Sequence, residues 1–261
     1  MTYVLTVALF KGGTGKTTTA LMIGSVLRAK GYRVLYVDFD GQSCLTRSLG
    51  LSPVQPSAFE LLTDPETPIN KIIKETDRGD VVPAVRLMDN VIIYMDRYKK
   101  SEQHTVLRSK LAALKRSKKY DFIIIDTPGQ GTTPLILNAL TASDGVVLIG
   151  ESDGGAYWSM SDTYALIGEA REINKKLTVL GVLLTRFNPR LNLSKAMYDA
   201  IEAYAAKMGT HVFKTTIRES VAMKESRITK SDPVTDNPKS PAVADYVALV
   251  DELLNDKGVK P

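Results

Sequence analysis

Residues that form covalent cross-links and metal clusters are scarce in this chain of 261 residues. The single cysteine, Cys44, excludes an internal disulfide and a cluster held by several thiolates of one chain. The two histidines, His104 and His211, are far apart and have no ligand spacing around them, so neither predicts a metal site. This sparing use of cysteine favours a reducing, cytoplasmic location.

Long apolar segments are also missing, since no run reaches the roughly 18 residues that a membrane-spanning helix needs. The apolar opening, MTYVLTVALF, lacks the basic start and the small-residue cleavage site of a secretory signal, and it predicts a first strand. The last predicted helix, about 240–254, has a polar face rich in acids, which an anionic membrane would repel. These acids are Asp245, Asp251, Glu252 and Asp256. We expect this helix to pack on the core, and we expect no membrane partner.

Short β-branched segments alternate with amphipathic ones along the chain, a pattern typical of repeated βαβ units. The predicted strands are 3–10, 33–39, 90–95, 121–126, 145–150 and 177–185, with a further candidate at 211–217. The predicted helices are 16–30, 191–208 and about 240–254, and 51–89 is an irregular connection. The nearly continuous apolar character of the strands indicates that they are covered on both faces. We expect an α/β fold with a doubly wound, mostly parallel sheet, in a single P-loop domain spanning 1–261.

A glycine-rich segment, FKGGTGKTTTA, lies between the first strand and the first helix. It ends in the Gly-Lys-Thr of a phosphate-binding loop, but Phe10 stands where the standard pattern has its first glycine. Glycines between a strand and a helix let backbone N–H groups surround phosphate oxygens. Lys16 would reach the β- and γ-phosphates, and the Thr17 hydroxyl would bind Mg²⁺. The segment therefore predicts a site for a nucleotide and magnesium.

Lys11 precedes the glycines at a position where standard loops have no fixed lysine. The string K-G-G-T-G-K-T-T resembles the deviant phosphate loop of the ParA/MinD superfamily of ATPases, K-G-G-x-G-K-[ST]-T. This resemblance implies that Lys11 crosses a nucleotide-sandwiched homodimer to the partner's phosphates, where a second cation stabilises developing charge. Lys11 and Lys16 are thus candidate catalytic residues. The candidate nucleotide-binding residues are Lys11, Gly12, Gly13, Thr14, Gly15, Lys16, Thr17 and Thr18.

Two later segments resemble the switches of the same superfamily. The segment 36–46, YVDFDGQSCLT, is similar to switch I, usually V-D-x-D-P-Q-G-N-x-T; Asp38, Asp40 and Gln42 match it, whereas Gly41 replaces the usual proline. The segment 120–131, YDFIIIDTPGQG, is similar to the Walker B strand and switch II, with Gly129 where a second proline is common. The resemblance, which extends over nearly the whole chain, implies that Asp40 positions the attacking water. The candidate metal-binding residues are Thr17, Asp40 and Asp126, the last acting through water.

Basic residues are concentrated in one part of the chain. Residues 181–231 contain nine cations and four anions, so this window carries a charge equal to the whole formal net charge of +5. In ParA proteins a basic surface of the C-terminal part binds DNA without sequence preference, and contacts of this kind depend steeply on salt. The candidate DNA-binding residues are Arg190, Arg218, Lys224, Arg227 and Lys230. A second cationic stretch, 107–119, is interpreted as a solvated helix face.

The ParA resemblance implies a Mg²⁺-dependent ATPase that segregates DNA. It would dimerise around two ATP molecules, bind the nucleoid non-specifically and hydrolyse ATP when a centromere-binding protein of the ParB type stimulates it. Few residues precede the loop, so we expect the small form of ParA without an N-terminal helix-turn-helix domain. One alternative is a ParA-like ATPase that positions a non-DNA cargo, and another is a DNA-bound structural protein without turnover. A GTP-binding regulator is less favoured, because no N/T-K-x-D motif follows a later strand.

Overall fold

A computed structural model describes residues 1–9, 11–129, 133–151, 156–220, 232–255 and 259–261. Six strands form one parallel sheet in the order β3-β2-β4-β1-β5-β6. The strands are β1 (Tyr3–Ala8), β2 (Val34–Asp38), β3 (Asp80–Val82), β4 (Phe122–Asp126), β5 (Gly145–Glu151) and β6 (Thr178–Thr185). Helices cover both faces of the sheet, so the predicted α/β fold class is confirmed.

The helices connect successive strands and close the chain. They are α1 (Lys16–Ala29), α2 (Cys44–Ser48), α3 (Ala58–Thr63), α4 (Val106–Ser117), α5 (Thr133–Ala142), α6 (Ala156–Ile173), α7 (Asn192–Lys207), α8 (Pro233–Asp236) and α9 (Pro241–Asn255). The helices predicted at 16–30, 191–208 and 240–254 are therefore confirmed as α1, α7 and α9. Among the described residues, none of the helices combines the length and the apolar character that crossing a membrane requires.

Alternate residues of the central strands supply two separate cores. Tyr3, Leu5 and Val7 of β1 contribute to one apolar cluster, whereas Val4 between them contributes to the cluster on the opposite face. Side chains of consecutive strand residues point to opposite faces of a sheet, so a strand that is apolar at every position is buried on both sides. The nearly continuous apolar runs in the sequence have this cause.

The strand predicted at 90–95 is wrong. The segment lies within a 3-10 helix, Arg86–Arg97, in which Met88, Val91 and Met95 are buried at intervals of three and four residues. Ile92, Ile93 and Tyr94 are exposed, because the helical turn directs them to the opposite side. The strand that pairs at this edge is β3, a three-residue element inside the segment interpreted as irregular.

The candidate strand 211–217 forms two isolated parallel bridges, Val182 with Val212 and Thr185 with Ile217. The chain therefore follows the outer edge of β6 without adding a regular strand to the sheet. This contact places Ile217 beside the carboxyl end of β6, where the site described below is located.

The carboxyl ends of three neighbouring strands meet at one edge of the sheet. Val7 of β1 is in register with Asp126 of β4, and Asp126 is in register with Asp38 of β2. Adjacent strands lie about 4.8 Å apart, so the segments that follow these strands converge. The strand order also reverses at β1, with β4 on one side and β5 on the other, and ligands of open α/β sheets bind at such a point.

Candidate nucleotide-binding site

The glycine-rich loop leaves β1 and turns directly into α1. Gly13 and Gly15 have φ angles of 75° and 93°, in the left-handed region that residues with a Cβ rarely adopt. Gly15 is the N-cap of the 14-residue helix α1, so the loop leads into the positive end of the helix dipole. A Cβ built on Gly12 or Gly13 would meet no atom within 4 Å, so the space beside the loop is open. This geometry suits an anion.

The side chain of one loop lysine is hydrogen-bonded to the backbone of the other. Lys16 is buried, with 5% of its surface exposed, and its Nζ donates a hydrogen bond of 2.5 Å to the carbonyl oxygen of Lys11. A buried ammonium group needs acceptors or a negative partner. Lys16 is therefore held at the loop, where it can exchange a carbonyl oxygen for a phosphate oxygen.

Switch I is held by the buried carboxylate of Asp38. Its oxygens accept hydrogen bonds from the backbone N–H of Asp40 at 3.1 Å, and from the N–H and hydroxyl of Thr46 at 2.9 and 2.7 Å. Burial raises the pKa of Asp38 to about 6, although the bonds from Thr46 act in the opposite direction. Asp40, in turn, accepts from the N–H of Gln42 at 2.9 Å and lies at the wall of the cleft. Asp38 thus shapes the turn that presents Asp40.

Asp126 is a fully buried carboxylate, and neither of its oxygens has a hydrogen-bond partner among the described residues. Burial and the adjacent charge of Asp38 raise its pKa well above the usual range, whereas the charge of Lys16 and the nearby Thr17 hydroxyl, which does not meet hydrogen-bond geometry, act in the opposite direction. An unpaired buried carboxylate is costly unless a cation accompanies it.

The described residues include no group of three or more acidic, cysteine or histidine side chains placed to enclose a cation. Mg²⁺ is commonly held by one or two protein ligands together with waters and substrate phosphates. Thr17 and the orphaned carboxylate of Asp126 fit such a partly open site. Thr17, Asp40 and Asp126 are thus the residues that could hold the ion.

Two of the positions at which the switches depart from the family motif, Gly41 and Gly129, lie in close contacts. A Cβ built on Gly129 would lie 2.5 Å from Cα and 2.9 Å from N of Gly12, so the backbone of switch II rests on the phosphate loop. A Cβ on Gly41 would lie 2.1 Å from Oδ1 of Asp89, which also pairs with Arg86 at 3.0 Å. The backbone contact explains why position 129 has glycine, whereas at position 41 the obstacle is the end of a partly exposed side chain.

A cleft of about 500 Å³ connects the loop, switch I and switch II. Of the predicted site residues, Gly12 to Thr18, Asp40 and Arg218 line it, and Asp126 is buried at the end of β4, in register with Asp38 of β2. The sequence analysis missed Asp89, Thr185, Arg186, Ile217 and Tyr246, which also line the cleft. These residues lie at the end of β6 or on elements distant in sequence, outside the phosphate loop and the two switch segments on which the sequence analysis based the site.

The end of β6 touches the phosphate loop through two adjacent side chains. The Thr185 hydroxyl donates to the carbonyl oxygen of Thr14 at 3.0 Å, and Nη2 of Arg186 donates to that of Gly13 at 2.8 Å. Thr185 is buried, and Arg186 lies at the exposed rim. The loop is therefore supported from a strand on the far side of β5.

The candidate DNA-binding residues are not equivalent. Arg190 is exposed in the turn before α7. Arg218 lines the cleft, and its Nε and Nη2 donate to the two oxygens of Asp245 at 2.8 Å each, which raises the pKa of Arg218. Lys224, Arg227 and Lys230 lie outside the described residues.

The second cationic stretch, 107–119, makes contacts within the protein. Lys110 donates to three backbone carbonyl oxygens, Lys115 pairs with Asp144 at 2.7 Å, and Arg108 donates to the carbonyl oxygen of Ile173. Several of its cations thus hold α4 against neighbouring segments, which the interpretation as a plain solvated face did not foresee.

Comparison with known proteins places this site in a family. A family model described as an AAA domain (AAA_31) matches residues 2–179. Sporulation initiation inhibitor protein Soj of Bacillus subtilis (strain 168) is 32% identical over 251 residues, covering 93% of this chain and 94% of that protein. Chromosome-partitioning ATPase Soj of Thermus thermophilus is 29% identical over 245 residues, covering 94% and 92%.

A solved structure agrees with these relatives. Cobyrinic acid a,c-diamide synthase from Mycobacterium smegmatis, with a bound ATP analog and magnesium, superposes with a TM-score of 0.81 at 29% identity, covering 97% of this chain and 95% of that one. The family model spans more than half of the chain, and the match to the Bacillus protein extends almost from end to end. The chain belongs to the ParA/MinD-type family of partition ATPases.

Proposed function

We propose that this protein is a Mg²⁺- and ATP-dependent switch that segregates DNA. The observation that carries the proposal is the cleft itself, where a loop with two lysines, switch I with Asp40 and the orphaned carboxylate of Asp126 converge. Two relatives bear the name Soj, one of them described as a chromosome-partitioning ATPase, and a similar structure contains an ATP analog with magnesium. The nucleotide supplies the phosphoanhydride bond, and the chain binds, orients and shields it.

Each predicted residue has a task in this proposal. Lys16 gives up its bond to the Lys11 carbonyl and neutralises the β- and γ-phosphates. Thr17 and Asp126 hold the magnesium ion, and the ion compensates the buried charge of Asp126. Asp40 accepts a hydrogen bond from the attacking water and orients it.

Lys11 is proposed to act on the partner subunit of an ATP-bound homodimer, where a second cation stabilises charge that develops in the transition state. We expect Lys11→Ala to bind ATP nearly normally but to lose dimerisation and most of its hydrolysis, by about a hundredfold or more, as for loss of one charge-stabilising group. Phosphate release and light scattering measure the two effects. Lys16→Ala is the matched variant and should lose binding itself. Normal hydrolysis and dimerisation by Lys11→Ala would contradict the role in trans.

Non-specific DNA is the proposed partner of the ATP-bound protein. The proposed contacts are Arg190, Arg218, Lys224, Arg227 and Lys230. Binding to non-specific duplex DNA should appear with ATP and be absent with ADP, GTP or no nucleotide. It should weaken steeply with salt, with a slope of log K on log salt of about −0.9 for each phosphate contacted. Arg190→Ala should reduce this slope by about one. The protein would then be cytoplasmic and nucleoid-associated, and a centromere-binding protein of the ParB type would stimulate its slow turnover.

DNA binding in each nucleotide state, measured together with phosphate release, separates the alternatives. ATP hydrolysis with no DNA binding in any nucleotide state would keep the ATPase and replace the DNA by a protein cargo. Binding of GTP in preference to ATP would favour a GTP-binding regulator. DNA binding without phosphate release would favour a structural DNA-bound protein.

A further inference from the structure

Two consecutive carbonyl groups of the phosphate loop are held from one point of the sheet. Thr185 and Arg186 follow each other at the carboxyl end of β6, and they donate to the carbonyl oxygens of Thr14 and Gly13 at 3.0 and 2.8 Å. The Thr185 side chain also lies 3.8 Å from the place where a Cβ on Gly15 would be. Three successive loop residues, Gly13 to Gly15, therefore contact this strand end.

Because the peptide unit is planar, these two hydrogen bonds also fix the directions of the neighbouring backbone N–H groups. In a trans peptide the C=O of one residue and the N–H of the next point in opposite directions. Arg186, by holding the carbonyl of Gly13, fixes the N–H of Thr14, and Thr185, by holding the carbonyl of Thr14, fixes the N–H of Gly15. N–H groups at the start of a helix have no acceptor within the helix, and they bind anions.

The loop needs such support because its own residues are permissive. Gly13 and Gly15 have positive φ angles, and a Cβ built on Gly13 would meet no atom within 4 Å, so side-chain packing does not restrain the loop there. A glycine-rich segment loses much conformational entropy when a ligand orders it. Support that exists before binding removes part of this entropic cost.

The backbone of Arg186 is adapted to this contact. Its φ angle is 54°, in the left-handed region, which is uncommon for a residue with a long side chain. The next residue, Phe187, donates its N–H to the carbonyl oxygen of Ile217 at 3.0 Å, so the chain continues along the strand edge. An unusual backbone angle beside a ligand cleft is the kind of strain found at functional positions.

We propose that Thr185 and Arg186 are positioning residues that orient the N–H groups of Thr14 and Gly15 toward the phosphates of the nucleotide. This inference rests on the nucleotide binding proposed above and adds to it two residues outside the phosphate loop and the two switch segments. The ligand recognised in this way is a diphosphate or triphosphate group, whatever base it carries.

The test compares substitutions at Arg186 that differ in what the side chain can donate. Arg186→Met removes the donor and keeps the length, Arg186→Lys keeps a donor and the charge, and Arg186→Gly also relieves the left-handed backbone. Arg116→Met, which replaces an exposed arginine of α4, is the control for loss of one surface cation. Calorimetry with ATP, ADP and inorganic pyrophosphate measures affinity, and thermal unfolding measures the stability of the fold.

We expect Arg186→Met and Arg186→Gly to weaken ATP, ADP and pyrophosphate by a similar factor of about three to ten, the range for one hydrogen bond. Arg186→Lys should recover most of the affinity, and Arg116→Met should change nothing. Thr185→Val should act in the same direction, whereas Thr185→Ser, which keeps the hydroxyl, should not. The melting temperature of the nucleotide-free Arg186 variants should stay near that of the parent protein.

Three results would overturn the inference. Unchanged affinity in Arg186→Met would show that the bond orients nothing, and a loss for ADP without a loss for pyrophosphate would place Arg186 on the base or ribose. A lower melting temperature with unchanged affinity would show a purely structural role. A parent protein that binds none of the three ligands would instead refute the proposed function itself.

Discussion

At Gly129 the obstacle to a larger residue is backbone. A Cβ at this position would meet Cα and N of Gly12 at 2.5 and 2.9 Å, and these backbone atoms cannot rotate away as a flexible side chain would. Switch II and the phosphate loop are therefore in direct backbone contact. The proline that is common at this position in the family would not fit here.

Gly129→Ala is expected to lower the free energy of unfolding by about 1–3 kcal/mol, the usual cost of overpacking. Urea denaturation of the nucleotide-free protein measures it, and nucleotide affinity should fall as well because the loop is displaced. Gly168→Ala on the exposed side of α6 is the matched control, since its Cβ would meet nothing within 4 Å. The control should be neutral or stabilising, because alanine favours a helix over glycine. Equal effects of the two substitutions would contradict the contact.

The unpartnered carboxylate of Asp126 makes the free protein less stable as pH rises. Its folded-state pKa lies above the unfolded value, because burial and Asp38 disfavour the charge. The folded state therefore binds more protons between the two pKa values. Stability falls as pH rises from about 4 through the folded-state pKa.

Asp126→Asn should therefore raise the stability of the nucleotide-free protein by about 1–3 kcal/mol at pH 7.5, the cost of an unpaired buried group. The gain should shrink as pH falls toward 4. Thermal unfolding at several pH values measures it, and nucleotide affinity with and without Mg²⁺ should show that the variant has lost its dependence on the ion. A gain that is independent of pH would contradict a charge-based origin.

At the scale of elements, helix α9 holds the segment that borders the cleft. Glu252 accepts from the N–H groups of Lys214 and Thr215 at 2.8 and 3.1 Å, and Asp245 pairs with Arg218. On its inner side, the hydroxyl of Tyr246 lies 3.1 Å from that of Thr19 in α1. Three of the acidic residues that argue against membrane binding, Asp245, Asp251 and Glu252, thus make contacts within the protein, which sequence alone did not reveal.

If Arg218 binds DNA, Asp245 competes with the DNA phosphates for its guanidinium. Asp245→Asn is expected to strengthen binding to non-specific duplex DNA in the ATP state about twofold to fivefold, the range of a surface ion pair. Asp251→Asn, on the same helix as Asp245, breaks the pair with Lys30 at the end of α1; it is the control and should not change binding. Fluorescence anisotropy at low salt measures both. Weaker binding by Asp245→Asn would indicate that the pair presents Arg218 and does not withhold it.

At the scale of the molecule, the sheet brings distant segments to one edge, so a ligand there should stabilise the whole fold. At a concentration of ATP with Mg²⁺ a hundredfold above the dissociation constant, we expect a gain of about 2.7 kcal/mol. For a chain of this size the melting temperature should rise by about 5–10 °C. Differential scanning calorimetry measures it, with EDTA and Lys16→Ala as controls. No shift at saturation would contradict binding in the folded state.

The parts of the fold and site that the sequence predicted are those with local signals. The loop at 10–18 and the strands that are apolar at every position needed no tertiary information. The strand predicted at 90–95 failed because the packing of Val91 and Met95 at helical spacing overrode the β-propensity of the segment. Thr185, Arg186 and Tyr246 were not assigned to the site, because only the sheet order and the packing of α9 on α1 place them at the cleft.

The contact between Gly41 and Asp89 also restricts how this chain could have changed over time. The family's proline cannot occupy position 41 while the Asp89 carboxylate lies where the ring would be. The obstacle is the end of a partly exposed side chain, so proline at position 41 requires Asp89 to turn away or to be replaced. Although far apart in the sequence, these two positions are therefore expected to covary among relatives, and a comparison of related sequences would test it.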